Sequence, residues 1–153
     1  MTAVPPAPPT PAFATEAQPA RVPLGTRMVR DCLGADLYPL LARHQGDEVF
    51  TALAALVVSI ASRLDHFDEQ LARDVARTAR DAASAAADPD AHLGLSGAWS
   101  YVAAQAPRIE TGLARLGELR ETLGAALATY TRALTAHHNA TADTSNAAAH
   151  PPA

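Results

Sequence analysis

Six histidines, one cysteine and a set of arginines without a single lysine are the residues in this chain whose types could do chemistry. The histidines are His44, His66, His92, His137, His138 and His150. A metal centre on helices needs ligands three or four residues apart on one inward face. No two of these histidines have that relation on an expected helix face, and neither Glu-x-x-His nor His-Glu-x-x-His occurs. His66 follows the apolar Leu64 by two and points outward. His44 and His137 fall at helix ends, where a cation is favoured by the helix dipole. No metal and no cofactor is expected.

Cys32 has Arg27 and Arg30 close in sequence, a neighbourhood that lowers a thiol pKa. It also lies beside an apolar stripe, where a lone cysteine reads as a small buried hydrophobe. There is no Ser/His/Asp pattern, no glycine-rich phosphate loop and no strand to present one, so no catalytic residues are assigned and no enzyme is expected. Arg73, Arg77 and Arg80 share a helix face, but Asp74 and Asp81 interleave with them and Glu69 precedes Arg73 by four. That pattern is a solvated, ion-paired face. A net charge of −4 and a pI near 5.8 also argue against a nucleic-acid partner. A helix-turn-helix would want short helices at a sharp angle. The longest uncharged apolar-rich run, Val49–Ser62, falls short of the about twenty residues that span a bilayer. The first residues lack the basic and apolar regions of a secretory signal. The reading is a soluble, cytoplasmic protein with no membrane association.

These side chains need elements to hold them, and every foldable segment reads as helix. Residues 1–23 hold seven of the chain's 12 prolines and read as a disordered Pro-rich tail. Residues 139–153, rich in Ala, Thr and Asn, read as a second disordered tail. Between them, 24–138 is expected to form one helical domain. Its first helix spans about 26–44, capped by Thr26, with Val29, Leu33, Leu37, Leu40 and Leu41 on one face and a kink at Pro39. The second runs over about 47–87, capped by Asp47. Phe50, Leu53, Val57, Ile60, Leu64, Phe67 and Leu71 form its seam, widened by Val49 and Leu56. Asp88 and Ser96 can cap helical turns after it. The third runs over about 96–137, kinked or divided at Pro107. The expected fold is all-α: an elongated three-helix bundle on a long antiparallel hairpin folded about residue 91. Gly117 and Gly124, seven apart, suggest a close approach of the first helix.

One charge then stands out. Ile109, Leu113, Leu116, Leu123, Leu127, Tyr130 and Leu134 are spaced by three and four once position 120 is counted, and that position is Arg120. A buried guanidinium needs an acid. Asp36, on the apolar face of the first helix, is the intrachain candidate, while Asp74 should lie nearer Arg108. Arg120 could instead await a ligand's or partner's carboxylate, or snorkel to solvent. Trp99 and Tyr101 either fill space left by the alanines opposite or form an interaction hot spot. The short first helix cannot cover the whole hairpin. The leading expectation is therefore a non-catalytic interaction protein that self-associates or docks a protein partner through its apolar seam. Arg120, Asp36, Asp74, Leu116, Leu123, Leu127, Trp99 and Tyr101 are its candidate seam and interface residues. The alternative is a small ligand-binding or regulatory bundle with a cavity near Pro39 and Pro107.

Overall fold

The computed structural model describes residues 21–44, 46–87 and 94–149. Residues 1–20 of the Pro-rich segment, most of the connection containing Asp88, and the last four residues lie outside the described part. Within it are four helices and no strand: α1 (Leu24–Leu33), α2 (Leu37–Ala42), α3 (Glu48–Ala87) and α4 (Gly94–Ala149). The fold is all-α.

The expected first helix is two helices, and the reason lies at Gly34. This residue adopts φ 63°, and its N–H donates to the Arg30 carbonyl at 2.9 Å. That is a left-handed helix stop, which glycine adopts without a Cβ penalty. Asp36, extended, precedes α2 as its N-cap residue. Pro39 then falls in the first turn of α2, where its missing N–H costs nothing, so it helps to start the second helix. The start of α1 also differs. Thr26 is not its cap. The cap comes from another helix: Asp65 of α3 accepts the N–H of Gly25, the N–H of Thr26 at 3.2 Å and the Thr26 hydroxyl at 2.6 Å. Gly25 is required here, since a Cβ would collide with the Ala61 carbonyl oxygen.

Asp47 does cap α3, its Oδ1 accepting the N–H groups of Val49 at 3.0 Å and Phe50 at 3.1 Å. Helix α4 begins at Gly94, so Ser96 lies inside it, and Pro107 does not divide it. It also continues past the expected end at 137, through part of the segment read as a disordered tail, to Ala149. Alanine has the highest helix propensity, and it is frequent there. At 40 and 56 residues, α3 and α4 are about 60 and about 84 Å long.

The two long helices run antiparallel. Tyr101 donates to Asp81 at 2.8 Å, Arg108 pairs with Asp74 at 3.1 Å, and the Arg115 guanidinium lies 5.4 Å from the Phe67 ring centre. Each pair is symmetric about residue 91. Both α1 and α2 pack on α3, and α1 also reaches α4. The core cluster lies in this covered region: Val29, Leu37 and Leu40, Phe50, Ala54, Val57, Ala61 and Leu64, and Leu123, Leu127 and Tyr130.

Candidate functional site

The seam of α4 differs from the pattern of its largest side chains. Ile109, Leu116, Leu123 and Tyr130 turn inward. Between them the packed positions are Gly112, Leu119 and Ala126. Leu71 Cδ1 closes over Gly112, only 2.8 Å from where a Cβ would stand. Leu113 and Arg120 lie on the neighbouring line and are exposed. Arg120 therefore does not interrupt the seam, because the seam runs through Leu119. Among the described residues Arg120 has no ion pair. Asp36 pairs instead with Arg30, which donates from Nε at 2.9 Å and Nη2 at 2.7 Å to one carboxylate oxygen. The break at Gly34 takes Asp36 off the apolar face and turns it back toward α1.

The other expected positions divide. Leu116 is half-buried, and Leu123 and Leu127 are buried. Asp74 pairs with Arg108. Gly117 and Gly124 have open space around them, so the close backbone approach is at Gly25 instead. Cys32 is exposed, not buried. Val49 and Leu56, read as widening the buried stripe of α3, are also exposed, at 68% and 51%. They fall on the flank of α3 away from α1, where none of the described helices lies.

Two regions emerge. The first is the groove between α3 and α4. On α3 the line Ala54, Ala61, Asp68, Val75 recurs every seven residues. Ala54 and Ala61 are fully buried beside the short helices, and Asp68 meets Arg21 at 3.4 Å. Past that point Val75 is 43% exposed. On α4 the line Leu134, Leu127, Arg120, Leu113, Ala106, Trp99 behaves alike. Leu127 is 4% exposed in the core, Leu113 is 55% exposed and Trp99 is 75% exposed. Beyond Asp68 no other described element covers the groove, and its α3 wall is largely alanine. Trp99 does not fill the space opposite those alanines; Ala98, 9% exposed, takes that place.

The second region is a cleft of about 630 Å³ at the opposite end, lined by Arg43, His44, Gly46, Asp47, Phe50, Leu134, His137 and His138. His44 stacks on Phe50 at 5.3 Å and shares a hydrogen bond with the Tyr130 hydroxyl. His137 meets Phe50 edge-on at 5.2 Å. Burial pushes the Tyr130 hydroxyl pKa up, partly opposed by the Arg43 charge. His44 and His137 read separately as helix ends. The signal that unites them is the fold about residue 91, which sets 44 across from 138. Near Pro107 the pockets are small, about 230 and 130 Å³, and their walls include Asp74 and Arg108.

Among the described residues no group of three His, Cys, Asp or Glu is placed to hold a metal ion. One stretch of α3 is long and apolar enough to cross a membrane by length and composition, with 28% of it buried. No protein-family model, no curated protein and no solved structure matches the chain.

Proposed function

We propose that this chain is a non-catalytic interaction protein. In this reading it is an elongated three-helix bundle, with α1 and α2 as one broken arm on a long hairpin of α3 and α4. The uncovered half of the groove takes an apolar helix, supplied by a second copy of the chain or by a protein partner. One observation carries the reading: positions that are buried beside α1 and α2 recur at seven-residue intervals as Val75, Leu113 and Trp99, exposed and uncharged. Such a patch on a free surface marks an interaction site, and a tryptophan is a frequent anchor of one. The same reading takes the chain as soluble and cytoplasmic, with the seam of α3 packed on α1 and α4.

Sedimentation over a wide concentration range tests the proposal. A mass that rises reversibly with concentration is expected, reduced to the monomer by Trp99→Ser with Leu113→Ser while the helical signal stays. A monomer at every concentration would leave only the partner protein as occupant. An increase in mass that the double variant does not alter would remove the groove from the argument.

A small ligand-binding bundle is the second reading, and one observation favours it: the cleft around His44.

A further inference from the structure

We propose that the cleft at the α2 end binds a small organic anion, a carboxylate or phosphate ester with an apolar body. The inference rests on the ligand-binding reading and is independent of the uncovered groove.

The cleft gathers nitrogen-bearing side chains around one permanent cation, Arg43. Arg43, His44, His137 and His138 all line it. Asp47 is the single acid in its wall, and its Oδ1 already accepts two backbone N–H groups at the start of α3. Among the described residues Arg43 has no carboxylate partner. Arg43 is exposed at the wall of the cleft. A free arginine fork is suited to two oxygens of one carboxylate or phosphate.

The imidazoles are held in place rather than spread over the surface. Phe50, nearly buried, has His44 stacked on its ring and His137 edge-on to it. The Tyr130 hydroxyl fixes His44 from within. His138 donates from Nδ1 to the Leu134 carbonyl at 2.8 Å, which fixes its ring at the rim. Phe50 and Leu134 supply an apolar wall, so the matching ligand carries a ring or short chain beside its anionic group. The volume lies in the range of small-molecule sites.

Phenyl phosphate and benzoate are the probes, with benzyl alcohol as the uncharged control, titrated into the full chain by calorimetry and by NMR of the imidazole C–H signals. Both anions should bind and move the resonances of His44, His137 and His138. Arg43→Gln should weaken them by about tenfold, the size of one charge-assisted contact, and His137→Gln should weaken them also. Melting temperatures of the two variants check that each is folded. Equal binding of benzyl alcohol would overturn the proposal. So would unchanged affinity in both variants, or no binding up to about 10 mM. Trp99→Ser with Leu113→Ser should bind the anions as the natural chain does, so failure of the cleft and failure of the groove are separate results.

Discussion

The two halves of the α3–α4 pair are built on the same seven-residue lines, yet only one half has a core. Toward α2, Ala54 and Ala61 disappear beside the short helices, and Leu64, Leu123 and Tyr130 become fully buried. Past Asp68 the same lines carry Val75, Leu113 and Trp99 into solvent. Two antiparallel helices bury only the strip between them, and burying a full flank takes a third helix. The difference shows that burial here follows the reach of α1 and α2, not the hydrophobicity of the long helices alone.

The largest expected effect contrasts one leucine from each half. Leu64→Ala opens a cavity beneath α1 and should cost about 2–5 kcal/mol in urea unfolding. Leu113→Ala, already more than half exposed, should stay within about 0.5 kcal/mol at concentrations where the chain is monomeric. Equal costs would mean that the second half is covered after all, and the contrast between halves would fall.

A smaller effect separates the halves by pH. Burial raises the Tyr130 pKa in the folded state, and Arg43 partly opposes this. A raised pKa means that the folded state holds its proton longer. The associated stability is present below the ordinary tyrosine value of about 10 and is lost as pH rises through the folded value. Tyr101 is also raised, first by its hydrogen bond to Asp81, but it stands in the half without a core. Unfolding free energy should therefore decline above about pH 10. Tyr130→Phe should flatten that decline relative to its own value at neutral pH, and Tyr101→Phe should flatten it less. An unchanged slope in Tyr130→Phe would show that its hydroxyl is not what the alkaline transition reports.

Much of this arrangement was legible as pattern. The stripe of α3, the Asp47 cap and the pairing of Asp74 with Arg108 follow from spacing, because a long regular helix leaves few ways to place them. Three features were harder to see. Gly34 stops a helix through a φ that only the folded chain reveals, although a glycine two residues before an aspartate is a fair signal for stop and restart. The Asp65 cap on α1 joins residues forty apart. Side-chain size alone points the α4 seam through Leu113 and Arg120, yet the partly buried positions there are Gly112 and Leu119, while Leu127 is buried as its spacing suggests. The end cleft joins His44 to His137 and His138, residues that only the fold about the hairpin axis brings together.

The smallest expected effect concerns Arg120. If it were a seam residue paired with Asp36, removing either side chain would leave a buried charge alone and cost several kcal/mol. Asp36 instead pairs with Arg30 at 2.7 Å, with both side chains about half exposed. Exposed pairs contribute about 0–1 kcal/mol. Arg120 is exposed, and Leu119 occupies the inward position beside it. Arg120→Ala should therefore change stability by no more than about 0.5 kcal/mol. Asp36→Ala should cost up to about 1 kcal/mol through the lost pair, and the double variant should equal the sum of the two. Coupling above about 0.5 kcal/mol would restore the Asp36–Arg120 pair and require α2 to sit elsewhere. Within the groove Arg120 lies between Leu113, in the open half, and Leu127, in the closed one. If Arg120→Ala leaves the monomer's stability unchanged but shifts the concentration at which the mass rises, the boundary between the halves is where the second helix docks.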